Sequence, residues 1–428
     1  MRSACTVMPG LVLLLALGPG VRAQDAPRRT PAQQVEAILA EVRRSSDVGA
    51  AAGQLARIGA QAVEPLLEKL STGQESVPTR AAILAALAQM SPEQVLGFLA
   101  SLARPLAPEP RRLAGLDLLA RFGGSADLRL VFELGSPSEA DAPPSPELQR
   151  ALEAALAGIL SREPGAARAL ADSFTRVPPA HQAAIVAVLA PRPGREALAA
   201  LADLLGRASV ETDALILYAI GTTARSQAPA SDLAALERVR LYLAHPDARL
   251  VVLASTAAAA LQDAGGVPDL IVLLEDGRAN VRGAVHGSLQ ALTGVRLPAE
   301  ADAWLAWLDE GLAWWNDRSD DCRAVIVSGD PQDAATAIHE VARQRLFVHE
   351  VAPLLALAAR RPEPDLARSA LRALSALPEP FARATLRALV AQADPELAEH
   401  ARQALEGLQA GPRENRTLPR LPQLRSIP

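Results

Sequence analysis

Along this chain a valine is repeatedly followed by apolar residues three, four and seven positions later. The sets are Val63, Leu66, Leu67, Leu70; Val267, Leu270, Ile271, Leu274; and Val351, Leu354, Leu355, Ala358. At about 100° of rotation per residue each set falls on one face, so each predicts an amphipathic α-helix. A proline accompanies each set, at Pro65, Pro268 and Pro353. Proline is tolerated in a first helical turn and disruptive later, so these residues predict helix starts.

A second, alanine-rich pattern alternates with the first: "PTRAAILAALAQM", "PEPRRLAGLDLLARF", "PELQRALEAALAGIL", "PDLARSALRALSAL" and "PELAEHARQALEGL". Its bulky anchors Leu87, Leu119, Leu156, Leu189 and Ile220 lie 32, 37, 33 and 31 residues apart, and Ile338, Leu371 and Leu405 lie 33 and 34 apart. The one long gap contains the Pro/Ser-rich stretch "GSPSEADAPPSPE". Two helices per unit at this period predict an all-α chain built as an α-solenoid. One such pair exposes too much apolar surface to stand alone, so neighbouring pairs must bury each other's faces. Half of the residues are hydrophobic, chiefly Ala and Leu, and only 3% are aromatic, a composition suited to helices in close approach.

"GGVPDLIVLLEDGRANVRGAVHGSLQALTG", residues 265–294, resembles a HEAT repeat of the PBS-lyase HEAT-like kind, and "IGAQAVEPLLEKL" at 58–70 is similar to its first half. The resemblance implies a right-handed α-α superhelix of roughly ten helix pairs, second helices lining the concave side. The expected organisation is a signal peptide at 1–23 and a disordered linker at 24–34. An N-terminal HEAT-like array follows at 35–294, then a Trp-rich helical insert at 295–327. C-terminal repeats at 328–410 precede a disordered Pro/Arg-rich tail at 411–428.

The N-terminal reading rests on Arg2, the apolar core Leu11 to Leu17, and the small-x-small site Val21-Arg22-Ala23. Pro9, Gly18, Pro19 and Gly20 leave that core too short to span a bilayer. The mature chain is therefore expected outside the cytoplasm, periplasmic or extracellular, with no transmembrane segment. Cleavage leaves Cys322 alone, so no intrachain disulfide forms and packing must supply stability. Net charge is −5, which offers nucleic acid no basic field. Lys69 is the one lysine; planar pairing by arginine would account for that bias, but GC-rich coding does so equally well and is the preferred reading.

All four tryptophans fall in "AWLAWLDEGLAWW", residues 303–315: Trp304, Trp307, Trp314 and Trp315. Trp304, Leu308, Gly311 and Trp315 form one helical stripe with Trp307 and Trp314 beside it. This favours a bulky helix filling a gap between two blocks of repeats. The alternative is an aromatic contact surface for a protein partner, peptide or glycan. Gly294 and Pro298 mark the break before it. "NDRSDDCR", with Asp317, Asp320 and Asp321, is expected to be a solvated turn, since it lacks the acid spacing and central glycine of a calcium loop.

Catalytic constellations are missing from the sequence: no G-x-S-x-G, H-E-x-x-H, phosphate-binding glycine loop or paired-cysteine zinc pattern occurs. The six histidines, His181, His245, His286, His339, His349 and His400, are expected mostly at turns or on helix surfaces. His339-Glu340 and His349-Glu350 invite comparison with HEAT-repeat deoxyhypusine hydroxylases, whose four His-Glu pairs bind iron at equivalent points of successive repeats. Here there are two, ten residues apart, expected on consecutive helices. No tetrapyrrole site marks a bilin lyase. The expectation is a non-catalytic scaffold for a protein or peptide partner, with no catalytic residue, metal or cofactor. The alternative is a metal- or cofactor-dependent enzyme on the same repeats. The tail's Arg413, Arg416, Arg420 and Arg425 against Glu414 are expected solvated, with docking on an acidic surface as the alternative.

Overall fold

The computed structural model describes residues 29–72, 75–91, 95, 108–136, 145–163, 165–192, 195–225, 233–392 and 394–410. The expected signal peptide, most of the linker, much of the 135–147 insertion and the Pro/Arg-rich tail lie outside these. The described residues are α-helices and short 3₁₀ turns, with no strand among them. None of these helices is long and apolar enough to cross a membrane. Contacts divide the chain into two compact units that meet in sequence at 98/99.

The first unit begins with α1 (Pro31–Ser45), four residues earlier than the repeats were expected. Thr30 and Gln33 explain the start: the Thr30 hydroxyl accepts the Gln33 N–H at 3.3 Å, and the Gln33 side chain accepts the Thr30 N–H at 3.0 Å. This capping box satisfies two otherwise orphaned donors. Val35, Leu39 and Val42 form the buried stripe. Then come α2 (Val48–Ile58), α3 (Val63–Thr72) and α4 (Val77–Gln89), with α2 packed on α4 and α1 against both. Gly59 takes φ +73, a left-handed value that glycine adopts without a Cβ penalty, between α2 and the turn into α3. Val63, Leu66, Leu67 and Leu70 are all buried.

In the second unit the helices alternate between two kinds. One kind comprises α5 (Glu109–Phe122), α7 (Pro146–Arg162), α9 (Pro179–Leu189), α11 (Val210–Arg225), α13 (Ala248–Leu261) and α15 (Ala279–Thr293). Each packs on the next member of that series. Between them run shorter helices, α6 (Leu128–Gly135), α8 (Ala166–Ser173), α10 (Arg195–Leu204), α12 (Leu233–Leu241) and α14 (Val267–Val272). After a break at Gly294, in left-handed conformation with φ +71, comes the 28-residue α16 (Ala301–Ser328). Pairing then resumes with α17 (Pro331–Ala342), α18 (Val348–Ala359), α19 (Pro364–Ser375), α20 (Glu379–Gln392) and α21 (Pro395–Ala410). Again each packs on the next and the next but one.

Small residues make the contacts between successive long helices close. A methyl on Gly158 of α7 would sit on the Ala120 carbonyl of α5, and Gly221 of α11 lies against the Ala257 backbone of α13. The Thr223 hydroxyl donates to the Ala190 carbonyl at 2.7 Å, and Ser288 reaches Ser255 at 3.4 Å. Anchors Leu87, Leu119, Leu156, Leu189, Ile220, Ile338 and Leu371 are buried, while Leu405 near the end of α21 is half-buried.

Arginines join successive units. Arg162 donates to the carbonyls of Leu119, Ala120 and Gly123 at the end of α5, joining the Gly123 N–H on the Leu119 oxygen. Arg278 reaches Pro246 at 2.8 Å, Arg345 reaches Ala376 at 2.7 Å, and Arg361 reaches Ile326 and Gly329 at 3.1 and 3.0 Å. A forked guanidinium serves several carbonyls at once where a lysine ammonium is a point charge, so the arginines have a structural use.

Two expectations change. Pro353 does not start a helix: α18 begins at Val348, and Pro353 lies inside it. The 3₁₀ turn Arg345–Phe347 leads directly into α18, so the helix opens well before its proline. The "NDRSDDCR" stretch is not a turn either, because residues 316–323 continue α16. Buried Cys322 and Ile326 carry the inward stripe of α16 through it, which holds the acidic residues in helix on the opposite side.

Candidate functional site

The four tryptophans sit between residues 304 and 315 of α16, and the structure treats them differently. Trp304 is fully buried. Its indole N–H donates to the Pro298 carbonyl at 2.9 Å, and its ring meets His286 edge-on at 6.2 Å and Trp307 edge-on at 5.8 Å. His286, on α15, reaches the Leu297 carbonyl through Nε2 at 2.7 Å. Two ring N–H groups therefore hold consecutive carbonyls of the link between α15 and α16. Burying an indole demands a partner for its N–H, and Pro298 provides one.

Three turns later Trp315 stacks on Phe347, with ring centroids 4.2 Å apart and planes 12° from parallel. Trp314 lies 6.3 Å from it, tilted by 46°. Both pack on the core formed by α17 to α21. Trp307, Trp314 and Trp315 are half-buried. So the helix carries one indole in the packing of α15 and α16 and a pair in the packing of the C-terminal helices. Glycine at 311 separates the two groups.

His339 and His349 lie on α17 and α18, consecutive helices, and both are exposed. Their neighbouring carboxylates point to arginines of α16: Glu340 pairs with Arg318 at 3.2 Å and Glu350 with Arg323 at 3.7 Å. Cys322 Sγ lies 3.8 Å from Glu340, and burial, followed by the Glu340 charge, pushes its thiol pKa up. A raised pKa keeps the sulfur protonated and weakly nucleophilic. Among the described residues no three His, Cys, Asp or Glu side chains gather as a metal site would require.

His181 departs from the surface expectation. It is 1% exposed, stacked on Phe132 at 5.6 Å. Neither ring nitrogen finds a hydrogen-bond partner among the described residues, and burial lowers its pKa against a weaker opposing effect of the Gly135 backbone. Nothing in "PPAHQAA" distinguishes an inward from an outward histidine except its helical register with Ile185 and Leu189, both buried.

A cleft of about 310 Å³, formed by residues distant in sequence, had no signal in the chain. It is bordered by Gln262 and Gly294, which end α13 and α15, and by Arg345 and the 376–380 turn. Arg345 gives one donor to Ala376, and burial lowers its pKa without neutralising a guanidinium.

No family of known proteins matches the chain. No curated protein matches it either. Among solved structures it is similar to a crystal structure titled as an engineered protein, at 19% identity, over 89% of this chain and 96% of that one, with a TM-score of 0.30. That likeness assigns neither partner nor activity.

Proposed function

We propose that this chain is a HEAT-like α-solenoid that acts outside the cytoplasm as a non-catalytic scaffold, holding a protein or peptide along its concave face. The observation that carries the reading is the unbroken series α5, α7, α9, α11, α13, α15, each helix packed on its predecessor. In a right-handed superhelix such a series lines the inner surface, and long curved surfaces gather affinity from many modest contacts. The export reading is supported by the Arg2, Leu11–Leu17 and Val21-Arg22-Ala23 pattern. The half-buried Trp307 is the tryptophan best placed to offer a partner part of its ring, since Trp314 and Trp315 are committed to the C-terminal core.

The test is photo-crosslinking in the native cell envelope. A crosslinking residue replaces exposed Tyr218 on α11 in one strain and exposed Leu357 on α18, a helix of the first pattern, in another. A discrete protein adduct from the α11 position, absent from the α18 position, is the expected result. Adducts of equal pattern from both, or none from α11, would remove the concave-face reading.

A further inference from the structure

We propose that the cleft at Arg345 binds a carboxylate carried on a small apolar group, either the C-terminal residue of a peptide or a free acyl amino acid. The cleft brings together stretches distant in sequence: Gln262 just past α13, Ala291 near the end of α15, Arg345, and the turn between α19 and α20 with Leu377, Pro378 and Glu379. Its volume of about 310 Å³ stands at the lower end of the ~300–1,000 Å³ range of small-ligand pockets, so it suits an occupant of residue size. Arg345 supplies the charge. Half-buried, it gives Nη1 to the Ala376 carbonyl at 2.7 Å, its one hydrogen bond among the described residues. Burial alone moves its pKa, downward, with no neighbouring carboxylate pulling the other way. Other inward arginines are spent: Arg162 serves three carbonyls, and Arg361 serves Ile326 and Gly329 and pairs with Glu363 at 3.0 Å. A guanidinium carries five N–H donors, so most of the Arg345 fork is left to offer.

The rest of the lining selects the ligand. Leu377, Pro378 and Ala291 give the cleft apolar walls. Gln262 donates its side-chain amide to the Ala259 carbonyl at 2.9 Å, and an amide NH₂ has a second N–H to give. The Glu379 carboxylate already accepts from Arg383, and its negative charge at the cleft disfavours a dianion. A phosphate would call for several cations or a row of backbone N–H groups. One guanidinium, one amide donor and apolar walls match a single planar carboxylate, which a guanidinium grips with two parallel N–H···O bonds. Desolvating Arg345 without an anion costs free energy that such a pairing returns. The site is independent of the concave-face reading and stands or falls without it.

Titration calorimetry on the full chain tests this with N-acetyl-leucine and N-acetyl-alanyl-alanyl-leucine, each beside its C-terminal amide. At least one acid is expected to bind about tenfold or more tighter than its amide. Tighter binding of the tripeptide acid assigns the cleft to a chain end, and equal or weaker binding assigns it to the free acid. Arg345→Gln should bring the acid down to the level of the amide, while Arg343→Gln, exposed and outside the cleft lining, should leave binding unchanged. Because Arg345 also holds Ala376, Ala291→Phe provides a second variant. Residue 291 is exposed on α15, so the added ring fills the cleft without removing a core side chain or the Arg345 charge. It should weaken acid binding at an unchanged melting temperature. Amides that bind as tightly as the acids overturn the proposal, and so does failure of both acids to bind. Acid binding that survives Arg345→Gln or Ala291→Phe also overturns it.

Discussion

His286 and Trp304 each donate a ring N–H to the link between α15 and α16, to the adjacent carbonyls of Leu297 and Pro298, while their rings meet edge-on at 6.2 Å. The pair fixes the direction in which the 28-residue helix leaves the break at Gly294. Trp304→Phe keeps a ring but removes the indole donor to the Pro298 carbonyl, a part-buried bond, at a cost of about 0.5–1.5 kcal/mol. Trp304→Ala also opens a cavity and is expected to cost about 3–5 kcal/mol. Urea unfolding should place the midpoints in the order wild type, Trp304→Phe, Trp304→Ala. A Trp304→Phe midpoint equal to wild type would show that the Pro298 bond contributes nothing.

Stability that is summed between neighbours makes damage local. Trp315→Ala removes the stack on Phe347 and should speed amide exchange in α17 and α18 while leaving α9 to α13 protected. Trp304→Ala should instead loosen α14, α15 and the start of α16. Hydrogen exchange read by mass spectrometry separates the two. Uniform loss of protection from either variant would mean a single cooperative core.

His181 makes the fold sensitive to acid. Burial lowers its pKa below the usual 6.5, so the unfolded chain takes up a proton more readily than the native one. Its contribution is complete above pH 6.5 and declines as pH falls towards the native-state value. His181→Leu, similar in bulk and beside Phe132, should flatten the fall in melting temperature between pH 6.5 and 5. An unchanged slope would place the acid sensitivity elsewhere.

Gly158 lets α7 approach the Ala120 carbonyl of α5. Gly158→Ala raises helix propensity yet must push the two helices apart. The expected balance is a loss of about 1–3 kcal/mol, as for overpacked cores. Gly283, on α15, has open space at its Cβ, so Gly283→Ala should be neutral or stabilising. Thermal denaturation of the two variants side by side tests the close contact. A gain in both would refute it.

Arg162 closes the end of α5 by serving three carbonyls. Arg162→Met keeps the aliphatic stem and removes the donors, and is expected to cost about 1–3 kcal/mol. Arg162→Lys should recover only part of that, because one ammonium cannot cover the same spread. Full rescue by lysine would mean that charge, rather than forked geometry, closes the helix.

The alternation of two helix patterns was legible because a 3.6-residue period leaves a plain trace: the "PELQRALEAALAGIL" segment predicts a helix from 146, and α7 runs Pro146–Arg162. Gly294 announced its own role through its place after the last periodic residue. The capping box at Thr30 and Gln33 was readable by the same rules but lies ahead of the first apolar residue, so the helix was expected four residues late. Pro353 misled because the helix is entered from the 3₁₀ turn Arg345–Phe347 at Val348, so the proline's missing N–H and its ring clash fall inside α18 and not in its first turn. "NDRSDDCR" looked like a turn because acids dominate it, whereas Cys322 and Ile326, three and seven residues past Ser319, keep its inward side apolar. The cleft at Arg345 and the Trp304–Pro298 bond join positions whose meeting depends on how α16 redirects the chain, and no local pattern encodes that.

Small-angle scattering of the full chain tests the stacked-pair account most directly. A compact domain of this length has a radius of gyration of about 22 Å. The solenoid proposed above predicts a clearly larger value with a pair-distance distribution skewed to long distances. A symmetric distribution with a radius near 22 Å would contradict it.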